Sequence, residues 1–146
     1  IDSASFKTRV VERKIEAKAG IKLEDARVVV AGGRGIGSAS GFQQLEEIAR
    51  LLHGAVGATR PPCDARWVSN SHQIGITGKI VSPDLYIAIA LSGASQHVSG
   101  FFSSKVIVAI NKDPEANIFK VAHYGIVADW KTVLPAFTAK LKEFVS

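Results

Sequence analysis

Cysteine occurs once in these 146 residues, at Cys63. That excludes an internal disulfide and a four-thiolate zinc site. Methionine is absent and the chain starts with Ile1. This reads as a processed chain or an excised domain whose function belongs to a larger protein. Long apolar runs are missing too. The longest clean one, Leu85 to Leu91, falls far short of the roughly 20 residues of a membrane-crossing helix, so no direct membrane insertion is expected. The first residues include Asp2, Lys7 and Arg9 and lack the apolar stretch of a secretion signal. Histidines are few, and neither His72 nor His97 sits in a His-x-x-x-His or His-Glu-x-x-His setting, so no metal site is expected.

The charges present sum to +5. They are spread along the chain, with no block of five or six like charges. That argues against a nucleic-acid partner and leaves small anionic ligands, such as phosphates, open. With 47% hydrophobic and 21% charged residues, the composition fits one folded domain with a sizeable core.

Residues 6–17, FKTRVVERKIEA, are β-branched and charged and read as an extended edge segment. Residues 1–26 are therefore taken as an N-terminal extended segment or linker, and residues 27–146 as the domain. Arg27 to Ala31, RVVVA, reads as a buried parallel strand. Gly41 to His53 carries Leu45, Ile48, Leu51 and Leu52 at helical spacing. Ala55 to Ala58 reads as a second strand, ended by Arg60-Pro61-Pro62, with a long ordered loop over 61–79. LYIAIAL at 85–91, KVIVAI at 105–110 and YGIVA at 124–128 read as further buried strands, with a short helix at 93–102. A last helix starts near Thr132, because Pro135 belongs in a first turn, and Asp129 precedes it in a loop. Strands alternating with helices give an α/β fold: a three-layer α/β/α sandwich with a parallel sheet.

Ligands of such sheets bind beyond the carboxyl ends of the strands. There the sequence places GGRGIGS at 32–38, SGASQH at 92–97, Asn111-Lys112-Asp113 and Asp129. This collection suits a dinucleotide better than a metal. Glycines let a backbone approach a pyrophosphate. The strict G-x-G-x-x-G pattern fails at Ser38, however, and no acid follows about 20 residues later, where Thr59-Arg60 stands instead. Arg60 before two prolines is otherwise a surface residue. On the 2′-phosphate of NADP it would mark a reductase domain, although no Tyr-x-x-x-Lys pair accompanies it. A non-redox nucleotide-binding or interaction module stays open as well. Cys63 has no activating base nearby in sequence and reads as a plain thiol.

Several segments together resemble one family: GGRGIGS at 32–38, TGKIVSPDLYIA at 77–88, SGASQH at 92–97, VIVAINKDPEANIF at 106–119 and YGIVAD at 124–129. They look like the C-terminal FAD-binding domain of the electron transfer flavoprotein α subunit, from about Arg27 to the C-terminus. The resemblance implies a Rossmann-like FAD-binding domain. It implies an electron carrier with no catalytic residues of its own, and FAD as cofactor. It implies a heterodimer with the β subunit. Electrons would come from acyl-CoA and other flavin dehydrogenases of fatty acid β-oxidation and pass to a quinone oxidoreductase. The expected setting is the bacterial cytoplasm or the mitochondrial matrix.

Carried over by motif, Arg34 lies by the cofactor phosphates and flavin. Thr59 and Arg60 match a Ser-Arg pair beside the ring. Gln73 and Thr77 border the isoalloxazine. Ser92, Gly93, Ser95 and Gln96 cradle the pyrophosphate. His97 faces the flavin O2, and Asn111 and Asp129 hold the adenosine end. The sequence departs from the family pattern at Ile76, Ser95 and His123. Without the family's N-terminal domain and β subunit, a partly apolar face is expected to favour self-association, with the strand at 6–17 as participant.

Overall fold

The computed structural model describes residues 22–145, so the proposed edge segment at 6–17 lies outside the described residues. Five parallel strands form one sheet: β1 (Val28–Gly32), β2 (Ala55–Ala58), β3 (Leu85–Ile89), β4 (Val106–Asn111) and β5 (Tyr124–Val127), in the order β2-β1-β3-β4-β5. Chain progression reverses between β1 and β3, which opens a crevice at their carboxyl ends. Among the described residues four helices accompany the sheet: α1 (Ala39–Leu51), α2 (Arg60–Asp64), α3 (Ser95–Val98) and α4 (Trp130–Val145).

Strands β1 to β4 are mostly buried on both faces, as their unbroken apolar runs require. Ile87 and Ile89 of β3 join Val30, Phe42, Leu45, Ile48, Trp130 and Leu134 in a core beneath α1 and α4. Tyr86 and Ala88, the alternate residues of the same strand, face a second core with Val29, Ala31, Ile74, Val81, Phe101 and Ile118. This layer is made of short turns and α3 rather than long helices. Leu23 and Ala26 belong to it, so the stretch just before Arg27 already packs against the sheet.

Several sequence expectations need correction. Helix α1 begins at Ala39, before Gly41, because the Ser38 hydroxyl accepts the Gly41 N–H and caps it. Pro61 and Pro62 do more than end β2. They occupy the first turn of α2, where a missing N–H costs nothing. The region read as a loop over 61–79 thus contains a helix, a 3-10 turn at Asn70–His72 and bridges joining Ala58 to Gln73 and Ile74 to Lys79. The helix expected over 93–102 is only the single turn of α3. Helix α4 begins at Trp130, ahead of Thr132, because Asp129 Oδ1 accepts the Lys131 N–H at 3.0 Å. Pro135 therefore sits beyond the first turn. The carbonyl it leaves without a helical donor belongs to Lys131, which is exposed.

Strand β5 is exposed along its whole length, not buried. Among the described residues it is the edge of the sheet, and an apolar run such as YGIVA does not distinguish an edge from an interior strand. Its first residue pair is fixed by His123, one of the departures from the family pattern. The His123 N–H donates to the Ile107 carbonyl at 2.7 Å, and its Nδ1 accepts the Ile107 N–H at 2.9 Å.

Leu45 is wholly buried between α1 and the sheet, whereas Phe144 at the end of α4 is 79% exposed. Leu45→Ala is expected to cost about 2–5 kcal/mol, and Phe144→Ala less than about 0.5 kcal/mol. Urea denaturation of both variants checks this.

Candidate functional site

A cavity of about 690 Å³ opens at the carboxyl ends of β1, β2, β3 and β4. This is the size range of small-molecule sites. Its floor is set where the turn after β1 meets the end of β3. Gly33 N–H donates to the Ile89 carbonyl and Gly35 N–H to the Ala90 carbonyl, both at 3.1 Å. A Cβ on Gly33 would stand 2.5 Å from the Leu91 Cβ, so only glycine allows this approach. Arg34 sits on the 3-10 turn Arg34–Ile36, exposed at the cavity edge.

Thr59 and Arg60 enter from the end of β2. The Arg60 Nε lies 3.3 Å from Asp64 Oδ2, one turn along α2, with both side chains mostly exposed. Such a pair holds little energy, so the guanidinium is free to turn toward an anion.

The 73–79 loop forms the third wall. Ile74 N–H donates to the Ala58 carbonyl at 2.9 Å, and Lys79 N–H to the Gln73 carbonyl at 2.8 Å. The Gln73 amide donates to Thr77 Oγ1 at 2.9 Å. The Thr77 hydroxyl accepts this bond, and its own proton remains for a ligand. Ile76, at 63% exposure, stands at the mouth.

Ser92, Gln96 and His97 complete the lining from the end of β3 and from α3. His97 is buried, and both ring nitrogens are engaged within the protein: Nδ1 at 2.8 Å from the Ile74 carbonyl oxygen and Nε2 at 2.8 Å from the Tyr86 hydroxyl. Burial, only partly offset by the bond to Ile74, lowers its pKa to about 4. The ring is neutral at pH 7. The positive charge of the lining therefore comes from the two arginines.

Asn111 ties the ends of β3 and β4 together. Its Nδ2 donates to the Leu91 carbonyl and its Oδ1 accepts the Asp113 N–H, both at 2.9 Å. It also borders a smaller cavity of about 140 Å³, which holds Asp129 and Trp130 and shares Gly35 and Ala90 with the larger one.

Arg34, Thr59, Arg60, Gln73, Thr77, Ser92, Gln96, His97 and Asn111 thus line one cavity, and Asp129 the adjoining one. Gly93 and Ser95 do not line either. Gly93 has φ +89° and its backbone lies against that of Ile118, where a Cβ would stand 2.4 Å from the Ile118 nitrogen. Ser95 is exposed at the start of α3. Asp113, placed at this rim by the sequence, lines the cavity from the loop after β4 together with Glu115 and Asn117, which sequence reasoning missed. Their signal was present, because that loop leaves the carboxyl end of a predicted strand. Cys63 lies elsewhere, buried, with its thiol pKa raised by that burial. Among the described residues no His, Cys, Asp and Glu group could hold a metal, and no helix is long and apolar enough to cross a membrane.

Comparison with known proteins points one way. The family model described as the electron transfer flavoprotein FAD-binding domain matches residues 22–102. The α subunit of electron transfer flavoprotein from Bacillus subtilis (strain 168) is 52% identical over 145 residues, covering 98% of this chain and 45% of that protein. The mitochondrial α subunit of Dictyostelium discoideum is 50% identical over 145 residues, with 98% and 41% covered. That of Megasphaera elsdenii is 49% identical over 145 residues, with 98% and 43% covered. The chain spans less than half the length of these relatives.

His97 generates a pH prediction. Its folded pKa, about 4, lies below the ordinary 6.5, so the unfolded chain binds its proton more readily. Its contribution to stability is complete above pH 6.5 and is lost as pH falls through that window to about 4. The loss is on the order of 3 kcal/mol. Urea midpoints measured across this range should fall for the native chain and fall less for His97→Gln, which has no imidazole to protonate.

Proposed function

The chain belongs to the electron transfer flavoprotein FAD-binding domain family, and from that premise we propose that it binds FAD across the carboxyl ends of its sheet. The observation that carries the reading is the single cavity in which loops from four strands bring together two guanidiniums, four side-chain amides and the hydroxyls of Thr59, Thr77 and Ser92. That donor set fits a dinucleotide. The arginines and amides suit a pyrophosphate and the electron-rich edge of a flavin, and the glycine turn lets the backbone come close.

Bound FAD supplies one- and two-electron redox chemistry. The chain's residues do the rest. Arg34 and Arg60 place positive charge at the flavin end, which favours the more negatively charged reduced form. Gln73 orients Thr77, which leaves the Thr77 hydroxyl proton available to an acceptor on the ring when FAD is bound. Ser92 and Gln96 hold the phosphates, and Gly93 and Ser95, which line neither cavity, shape the turn that presents them. Asn111 and Asp129 border the adenosine end, and His97 contributes a neutral wall.

The whole protein then serves as an electron carrier rather than an enzyme. A β subunit completes it, flavin dehydrogenases such as acyl-CoA dehydrogenases donate to it, and a quinone oxidoreductase accepts from it. The exposed Ile76, at the cavity mouth, supports a partner that closes the flavin end. The relatives come from bacteria and from mitochondria, which supports a bacterial cytoplasm or a mitochondrial matrix as the setting.

Titration of the purified chain tests the reading. FAD should bind with a saturable change in its visible absorbance, and NADPH should not. Binding of NADPH alone would favour the reductase domain, and no nucleotide binding would favour the bare module. In the loaded protein Arg60→Ala should lower the flavin potential by roughly tens of millivolts, and Arg60→Lys by less, because the charge stays while the planar fork is lost. Spectroelectrochemistry reads both. An unchanged potential in Arg60→Ala removes that residue from the flavin.

A further inference from the structure

Tyr86 lies outside the cavity and is fully buried on β3. A phenol in an apolar layer is costly unless its hydroxyl is bonded. Its ring stacks flat on Phe101, at 4.0 Å between centroids and 5° between planes, and its hydroxyl meets His97 Nε2 at 2.8 Å. The direction of each bond follows from chemistry. The Ile74 carbonyl can only accept, so His97 Nδ1 carries the proton. Nε2 is then a lone pair in the neutral ring, and Tyr86 must donate to it. A one-way chain runs from the Tyr86 O–H to His97 and from His97 Nδ1–H to Ile74. Ile74 sits between Gln73 and Gly75, in the loop that lines the cavity with Gln73 and Thr77. The next turn of that loop is held to α3 by Ile76 N–H donating to the Gln96 carbonyl at 2.9 Å.

We infer that Tyr86 is a positioning residue for the cavity: its hydroxyl donates to the Nε2 lone pair that the Ile74 carbonyl leaves on His97 and holds the ring where its Nδ1–H reaches Ile74, which sets where the 73–79 loop presents Gln73 and Thr77. The hydrogen-bond chain stands on the geometry alone. The consequence for a ligand rests on the FAD reading. Phenylalanine would stack on Phe101 equally well, so the hydroxyl is present for the imidazole. Without the hydroxyl the His97 proton stays on Nδ1, where Ile74 accepts it, but Nε2 is left buried with no partner and the ring is held from one side only. Because burial keeps the ring neutral, ring placement rather than charge is what Tyr86 controls at pH 7.

The experiment is nitrogen-15 NMR of the histidine side chains, followed by titration with FAD and with ADP. In the native chain His97 should carry its proton on Nδ1 and none on Nε2. That spectrum needs no variant, and an Nε2–H signal for His97 overturns the inference. Tyr86→Phe keeps the stacked ring and removes the donor. It should leave the proton on Nδ1, move the Nε2 resonance to that of an unbonded lone pair, and weaken FAD about fivefold to tenfold while ADP, which meets the far end, changes less than about twofold. An unchanged Nε2 resonance in Tyr86→Phe overturns the inference. A shifted resonance with equal weakening of FAD and ADP, or with neither weakened, overturns the positioning step. If neither protein binds FAD and the resonance still shifts, the FAD reading has failed and the hold of Tyr86 on His97 stands.

Discussion

The backbone contact between the turn after β1 and the end of β3 is the constraint from which the site follows. Gly33 and Gly35 donate to the last carbonyls of β3 and just beyond it. This closes the crevice floor where the sheet order reverses, and it points Arg34 outward over it. The contact needs glycine at position 33 for space. It also needs the chain beyond β3 to bend sharply, which Ala90 does with φ +56°. A non-glycine residue in that region is strained. The surrounding pairing of β3 with both β1 and β4 holds it there.

The walls differ in how firmly they are held. Asn111 is braced on both sides of its amide, by Leu91 and Asp113, so the end near β4 is preformed. Arg60 is held only by an exposed pair with Asp64 and keeps its side-chain freedom until a ligand fixes it. A site of this kind has one rigid end and one adaptable end. The rigid end lies where the family resemblance puts adenosine, and the adaptable end where it puts the flavin. Binding energy gathered at the first is then available to order the second.

Much of this was legible in the residues. The strands announce themselves as apolar runs ending in glycines or amides, and their carboxyl ends name most of the lining before any coordinates. Boundaries were harder, because they depend on single hydrogen bonds. Ser38 and Asp129 each start a helix earlier than the apolar spacing indicates. Burial of β5 was misread because an edge strand and an inner strand share one composition. Tyr86 was invisible for a different reason. In a strand buried on both faces, alternation does not mark which residues point toward a site, and no local pattern ties Tyr86 to a histidine eleven positions on.

The two faces of the sheet carry unequal burdens. On one, α1 and α4 pack regular helices over Ile87 and Ile89, and Trp130, which borders the smaller cavity, sends its indole N–H to the Gly35 carbonyl at 3.0 Å. On the other, the cover is made of the segments that shape the cavity. Ile74 is 1% exposed in that core and stands directly between Gln73 and Gly75. His97 is buried there and also borders the cavity. Core and site are therefore the same residues on that face, and a packing change there moves the groups that meet the ligand. Close-packed interiors transmit such shifts rather than absorb them. A short-turn layer in place of long helices is what lets buried side chains such as Tyr86 act on the cavity through one neighbour. Helix-covered residues such as Leu45 bear on stability alone.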